Sequence, residues 1–197
     1  MGLNNPHFIE NMKALFGGKR AEKLRKQLKK LSPKERELSI IEEFGIAINE
    51  MGFRYTLPFC FKDESGKKTS HYIIFISKND KGYGIMKNTM AKYSSQSNQG
   101  VPTFEYCPAT SRQPFLFSCN RPMDELSQML LDEFEGQSLT RDDIFKRHNI
   151  GKPFIEKNYR EVLIKMEEEG LIKADPPISA RKKGQFGPNV LVTFQGK

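Results

Sequence analysis

The chain has 197 residues, of which 37% are hydrophobic and 28% are charged, and its net charge is +8. This length fits one large domain or two small ones, and the charge favours nucleic acid, an acidic membrane or an acidic protein as partner. No apolar run approaches the ~20 residues that cross a bilayer, and no signal-peptide core follows Met1, so we expect a cytoplasmic protein without membrane contact.

The first quarter of the chain is predicted to be helical. Residues 5–17 begin with Asn-Pro and end at glycine, and residues 19–31 have the pattern of a short basic helix. Ser32 and Glu35 flank a proline in the arrangement of a capping box, which predicts a further helix that runs to Met51.

Two strands follow, at residues 53–62 and 69–77, and the short turn between them predicts an antiparallel hairpin. The apolar run from Tyr72 to Ile76 is typical of a strand covered on both faces. A two-stranded hairpin is marginal alone, so we expect another chain, or a second copy in a homodimer, to complete the sheet. A helix at 80–93, a polar loop at 94–100 and short strands at 104–107 and 115–118 are predicted next.

From Pro122 onward the predicted order is helix, short strand, helix, tight turn, helix, strand, loop and strand. This order is that of a winged helix-turn-helix. The second helix of the motif is expected to begin at Pro153, and the loop at 176–189 would be the wing. The predicted helices are 122–134, 141–148 and 153–169, and the last two strands are 171–174 and 190–194.

Nucleic acid, expected to be double-stranded DNA, is the predicted partner of this domain. Recognition helices read bases near their N-terminal end, and a basic wing tip with no neighbouring carboxylate suits phosphate or minor-groove contact. A role in protein contacts or as a structural cap stays open, because the recognition helix ends in three glutamates. The predicted nucleic-acid-binding residues are Lys152, Lys157, Asn158, Arg160, Arg181, Lys182 and Lys183.

The charge is concentrated in two segments. Residues 13–36 carry ten basic and two acidic residues, and residues 176–197 carry four basic residues and no acidic one. The first segment could hold phosphates or be a solvated surface beside a partner, and it is too polar for a membrane anchor. This secondary basic patch comprises Lys19, Arg20, Lys23, Arg25, Lys26, Lys29 and Lys30.

Catalytic, metal and cofactor sites are not predicted in this chain. His7, His71 and His148 lie far apart without a cysteine or carboxylate at ligand spacing. His148 is expected to end a helix, where the C-terminal helix dipole suits it, and a structural role is expected for each of the three histidines. The Gly82-x-Gly84 spacing is too short for a phosphate-binding loop.

Several short stretches, in their order along the chain, resemble the C-terminal half of the three-Cys-motif partner proteins (TcmP family). The resemblance implies a methyltransferase-like front, a winged-helix end and an association with mobile elements and phage defence. No strand with a Gly-rich turn is found near the N-terminus, so no catalytic or cofactor residue is carried over. The matching stretches are Leu15-Phe16-Gly17, Met51-Gly52-Phe53-Arg54-Tyr55, Tyr72 to Lys78, Lys81 to Lys87, Tyr159 to Leu163 and Glu169 to Ile172, with Arg181 and Gly184-Gln185-Phe186.

We therefore expect an α+β chain with two domains. Residues 1–120 would form a partial Rossmann or methyltransferase-like α/β region, with helices and an antiparallel hairpin, and residues 121–197 the winged helix-turn-helix. The first functional hypothesis is a non-catalytic nucleic-acid-binding subunit of a larger assembly. One alternative is a fragment or subunit of a methyltransferase-like nucleic-acid-modifying enzyme with its active site elsewhere, and another is a protein–protein adaptor.

Overall fold

A computed structural model describes residues 5–108 and 122–196 as a mixture of helices and small sheets. It divides into two compact units: unit 1 is Met1–Thr56 with Ile76–Asn79, and unit 2 is Leu57–Phe75 with Asp80–Lys197. The domain boundary predicted at residues 120 and 121 lies outside the described residues and stays a prediction.

Unit 1 begins with three helices, α1 (Pro6–Phe16), α2 (Gly18–Leu28) and α3 (Pro33–Glu50). The predicted capping box of α3 is confirmed, because the Ser32 N–H donates to the Glu35 carboxylate across 2.7 Å and the Glu35 N–H donates to the Ser32 hydroxyl across 3.4 Å. The core of this unit is small, and its buried side chains are Met12, Phe16, Ala21, Leu24 and Leu28.

Two arginines fasten α2 to the chain around it. Arg20 forms ion pairs with Glu43, at 2.8 Å, and with Glu50, both on α3. Arg36 donates from Nε to the backbone carbonyl of Leu28 across 2.9 Å, which satisfies one of the carbonyl groups left free at the C-terminal end of α2. None of the α3 side chains is fully buried.

The hairpin strands are β1 (Tyr55–Lys62) and β2 (Thr69–Ser77). They are followed by α4 (Asp80–Tyr93), β3 (Ser97–Asn98), β4 (Val101–Pro102) and β5 (Glu105–Tyr106). One sheet has the order β2-β1-β5, with β5 parallel to β1, and β3 pairs with β4 in a separate antiparallel ladder. The elements up to α4 therefore match the predicted ones closely.

Two predictions for this region are wrong. The run from Tyr72 to Ile76 is not covered on both faces, since every residue of β2 is half-buried or exposed and Ile73 is 51% exposed. The segment 94–100, predicted as a loop, contributes β3 because it folds back on β4. The strand predicted at 115–118 lies outside the described residues, and the methyltransferase-like interpretation stays a prediction.

The C-terminal part has the winged helix-turn-helix order, as predicted. Its elements are α5 (Pro122–Glu133), β6 (Ser138–Thr140), α6 (Arg141–His148), α7 (Glu156–Glu168), β7 (Ile172–Asp175) and β8 (Leu191–Phe194). The three strands form an antiparallel sheet in the order β6-β8-β7. The loop from β7 to β8, which contains a short 3-10 turn at Ile178–Ala180, is the wing.

The winged helix has the larger hydrophobic core of the two described clusters. The apolar face of α7 packs against α5, α6 and the sheet. The apolar residues of this face recur at helical spacing, and their burial stabilises the helix. The hydrophobic side chains of this core with at most 1% exposure are Leu126, Leu130, Ile144, Tyr159, Val162, Leu163, Met166, Val192 and Phe194.

Within the two described stretches of chain, every helix is too short or too polar to cross a membrane.

Candidate nucleic-acid interface

The N-terminal end of α7 is set by Asn158. Its Oδ1 accepts from the Ile155 N–H at 2.9 Å, which caps the helix, and its Nδ2 donates to the Gly100 carbonyl at 3.0 Å. Asn158 is completely buried. Asn158, predicted as a nucleic-acid contact, therefore lies inside the protein and away from the candidate surface, with both ends of its amide occupied. The same cap explains why α7 begins at Glu156 and not at Pro153.

The turn between α6 and α7 is held by α4. Lys87 donates from Nζ to the backbone carbonyl of Asn149 at 2.6 Å, and the Tyr83 hydroxyl accepts from the Gly151 N–H at 3.4 Å. Lys87 is 1% exposed, and burial lowers the pKa of its ammonium to about 7. These contacts fix the backbone immediately before Lys152. Sequence reasoning missed them, because a lysine on a helix is ordinarily solvated.

A cleft of about 280 Å³ lies at the start of α7, lined by Asn88, Arg141, Ile155, Glu156, Lys157 and Arg160. Arg141 is buried and donates from Nη2 to the Glu156 carboxylate across 2.6 Å. Sequence reasoning did not single out Arg141, and its only signal is the position directly after the helix cap Thr140. The cleft brings three cationic side chains together around one carboxylate.

Three of the predicted cations around the start of α7 are available to a ligand. Lys157 is exposed and lies 3.7 Å from the Glu161 carboxylate, a contact that contributes little at a solvated surface. Arg160 and Lys152 are half-buried, and neither has an ion pair with any residue in the described ranges. Lys152 lies in the turn held by α4, and Lys157 and Arg160 follow the cap of α7, so the backbone positions of all three are well defined.

Arg181 lies at the base of the wing and not at its tip. It forms an ion pair with Glu167 of α7, and its guanidinium lies 4.2 Å from the ring centroid of Phe186. Both charged side chains are more than nine-tenths buried. Glu167 also accepts from the Ile178 N–H at 2.8 Å. Arg181, predicted as a nucleic-acid contact, is therefore buried and paired at the base of the wing and lies away from the candidate surface.

Lys182 and Lys183 are exposed on the wing, and within the described part of the chain neither has an ion pair. The candidate surface that remains comprises Lys152, Lys157, Arg160, Lys182 and Lys183. The glutamates at the C-terminal end of α7 are less repulsive than predicted, since Glu167 is paired with Arg181 and Glu169 lies 3.8 Å from Lys165.

His148 is a buried structural residue beneath this surface. Its Nδ1 is 2.6 Å from the Tyr159 hydroxyl, and burial, with the nearby Lys152 and Lys87, lowers its pKa to about 4. The Glu133 carboxylate is 3.8 Å from Nε2, but an imidazole that is neutral at pH 7 forms no ion pair with it. At this position desolvation outweighs the dipole of the helix end, which favours the charged form.

The secondary basic patch lies in unit 1 and is not uniform. Arg20 is held by its two glutamates, and Arg25 is half-buried in a cleft of about 290 Å³ beside Lys13 and Glu22. The other members are exposed to solvent: Lys19, Lys23, Lys26, Lys29 and Lys30.

Residues 105–179 match the family model described as the GMT-like wHTH domain. This segment includes α5, α6, α7 and the first wing residues. Comparison with curated proteins gives no match, and neither does comparison with solved structures. The C-terminal half of the chain therefore contains a winged helix-turn-helix domain, a fold that suggests nucleic-acid binding.

Proposed function

We propose that this chain is a non-catalytic subunit that binds double-stranded DNA through its winged helix. The observation that carries the proposal is the separation of charge on that domain: buried Arg181 pairs with Glu167 and leaves Lys182 and Lys183 free on the wing. Arg181 therefore holds the base of the wing, whereas Lys182 and Lys183 are exposed to solvent. Nucleic acid is the partner that such a surface on this fold suits best.

The predicted strength of the contact follows from the number of cations. Five cationic side chains remain on the candidate surface, and each phosphate that is neutralised releases about 0.9 of a condensed counterion. If all five meet phosphates, the logarithm of the association constant falls with the logarithm of salt concentration with a slope of roughly −4.5. The C-terminal end of α7 contributes little to this contact, since Glu168 and Glu169 lie there.

The proposal is tested by the salt dependence of duplex binding. Fluorescence anisotropy with a labelled mixed-sequence duplex compares the protein with the Lys182→Gln/Lys183→Gln variant. We expect this variant to lose about two units of the slope. The matched control is Lys67→Gln/Lys68→Gln, which removes the same charge from the exposed turn after β1 and leaves the slope unchanged. Absence of salt-sensitive binding at low salt contradicts the proposal.

DNA is distinguished from RNA by competition. A recognition helix enters a wide major groove, which B-form DNA offers, whereas the major groove of A-form RNA is deep and narrow. An unlabelled DNA duplex is therefore expected to displace the labelled one at lower concentration than an RNA duplex of the same sequence. The reverse order contradicts the choice of DNA.

We further propose that this subunit belongs to a larger assembly, with a protein partner or a second copy on its front part. Large apolar side chains of unit 2 support this, since Ile73, Ile85 and Tyr93 are each more than half exposed. The resemblance to the TcmP family is the reason for a link with phage defence or mobile elements. Co-expression with the products of neighbouring genes, followed by size-exclusion chromatography with light scattering, tests for the partner.

The same exposed apolar residues favour a second candidate function, that of a protein–protein adaptor. An adaptor keeps its complex in the Lys182→Gln/Lys183→Gln variant and has no affinity for a duplex at low salt. If the co-purifying partner carries a Gly-rich cofactor loop, the chain is instead a subunit of a methyltransferase-like nucleic-acid-modifying enzyme. A catalytic activity of the chain alone contradicts all three assignments.

A further inference from the structure

The exposed side of α2 carries a row of lysines opposite its buried side. Ala21, Leu24 and Leu28 are at most 4% exposed and form the buried side. At about 100° of rotation per residue, Lys19, Lys23 and Lys26 lie within roughly 60° of one another and nearly opposite those three residues. We call these three residues the lysine stripe; Lys30 continues it in the turn after the helix.

The lysine stripe is not neutralised by the protein. Within residues 5–108 and 122–196, none of its three lysines forms an ion pair, whereas Arg20 on the same helix is paired with Glu43 and Glu50. Like charges four residues apart destabilise a helix. The arginine that faces α3 thus has a structural role, and the lysines that face away from the core have none within unit 1.

We infer that the lysine stripe is a second nucleic-acid-backbone site, separate from the winged helix. The three lysines are spaced by about 6 Å and 4.5 Å along the helix axis. One strand of a duplex presents a phosphate every ~3.4 Å along its own axis, so each lysine can reach a phosphate of its own. Contact of this kind depends on charge and not on base sequence.

The chemistry of α2 favours a polyanion over a lipid surface. The helix has no aromatic residue, and its few apolar side chains point into the core of unit 1. An interfacial helix requires an apolar face that is free to enter the membrane. The apolar face of α2 is already occupied by Met12 and Phe16 of α1.

The test is the salt slope of duplex binding by the full chain. The variant Lys19→Gln/Lys23→Gln/Lys26→Gln is expected to lose about two to three units of slope and at least tenfold in affinity near 50 mM salt. The control Lys67→Gln/Lys68→Gln/Lys92→Gln removes the same charge from exposed positions elsewhere and is expected to leave the slope unchanged. An equal loss in both variants overturns the inference, because it reflects net charge alone.

A conservative variant separates charge from folding. Lys19→Arg/Lys23→Arg/Lys26→Arg keeps the charge and the helix propensity, so it is expected to retain the wild-type slope. If the glutamine variant loses helical circular dichroism, a second comparison of the arginine variant with Lys19→Gln alone decides the point. If Lys19→Gln loses about one unit of salt slope relative to the arginine variant, the site is supported. If Lys19→Gln loses none, the inference is overturned.

The result is independent of the winged-helix proposal. If the wing variant loses slope and the stripe variant does not, the stripe inference fails and the winged-helix function stands. If only the stripe variant loses slope, the winged-helix function fails and the stripe inference stands.

A second experiment measures sedimentation with vesicles of anionic and of neutral lipid. Vesicle binding that requires the stripe, together with unchanged duplex binding, overturns the inference in favour of a membrane.

Discussion

Glu167 of the recognition helix accepts hydrogen bonds from both the backbone of Ile178 and the guanidinium of Arg181, so one carboxylate holds the base of the wing. The pair is almost completely buried, with side-chain exposures of 8% for Glu167 and 6% for Arg181. Removal of one partner from such a pair leaves the other as an uncompensated buried charge.

The first prediction concerns this pair. Glu167→Gln is expected to lower the free energy of unfolding by about 3 kcal/mol, because Arg181 stays buried without its counter-charge. Urea denaturation measures the change. Glu168→Gln is the matched control on the same helix, exposed and expected to stay within about 0.5 kcal/mol of the wild type. Equal stability of the two variants contradicts the anchoring role.

The second prediction concerns the pH dependence that Lys87 imposes. The pKa of Lys87 is about 7 in the folded protein, against an ordinary value of 10.5. Between pH 7 and pH 10.5 the unfolded chain therefore binds more protons than the folded protein does. The free energy of unfolding is therefore expected to rise as pH increases from 7 towards 10.5. Lys87→Met removes this part of the rise, and Lys92→Met, exposed on the same helix, keeps it.

Unfolding in urea at a series of pH values checks this behaviour. A Lys87→Met protein with the same dependence on alkaline pH as the wild type contradicts it. The direction of the effect is itself diagnostic, because a lysine stabilised by an ion pair has a raised pKa and gives the opposite slope.

The third prediction concerns acid stability through His148. Its pKa is lowered from 6.5 to about 4, so the unfolded chain binds more protons in that range. The folded protein should lose stability as pH falls from 6.5 to 4, by up to roughly 3 kcal/mol. His148→Gln, which can still meet the Tyr159 hydroxyl, is expected to remove this loss.

The measurement is the urea midpoint of each protein at pH 7, 5.5 and 4. His7→Gln, at an exposed position of α1, serves as the control and should follow the wild type. Parallel curves for His148→Gln and the wild type contradict the assignment of the acid-sensitive proton to His148.

The fourth prediction separates the structural role of Asn158 from a binding role. Asn158→Ala removes the cap at Ile155 and leaves the Gly100 carbonyl without its donor, which is expected to cost about 2 kcal/mol of stability. The salt slope of duplex binding should stay unchanged in the variant at a temperature where it is folded. Asn88→Ala, exposed on α4, is the control for stability. A change of slope contradicts the structural assignment.

Local signals were sufficient for much of the fold. Three such signals act through neighbours in sequence: the Ser32 capping box, the cap at Thr140 and the hairpin turn around Asp63. The helices and strands that begin or end at these signals were predicted within a few residues. The order of strands and helices after Pro122 was sufficient for the winged helix. These features depend on short-range hydrogen bonds and apolar spacing, which the sequence displays directly.

The candidate site was harder to predict because its charges are sorted by long-range contacts. Arg181 and Lys182 are adjacent in the chain, yet only Arg181 meets Glu167, fourteen positions away. Arg20 and Lys19 differ in the same way, since only Arg20 reaches α3. A sequence displays a run of cations but not which of them point inward, so both runs were assigned as whole groups.

The contacts from α4 and Gly100 have a consequence for how this winged helix could be inherited or transplanted. A segment cut at residue 121 leaves behind the donor for the Asn149 carbonyl, the hydroxyl that meets Gly151 and the acceptor for Asn158. Grafted alone onto another protein, the motif would have to recruit water or new side chains at all three places. A segment that keeps all three contacts therefore has to begin upstream, with the helix that contains Tyr83 and Lys87.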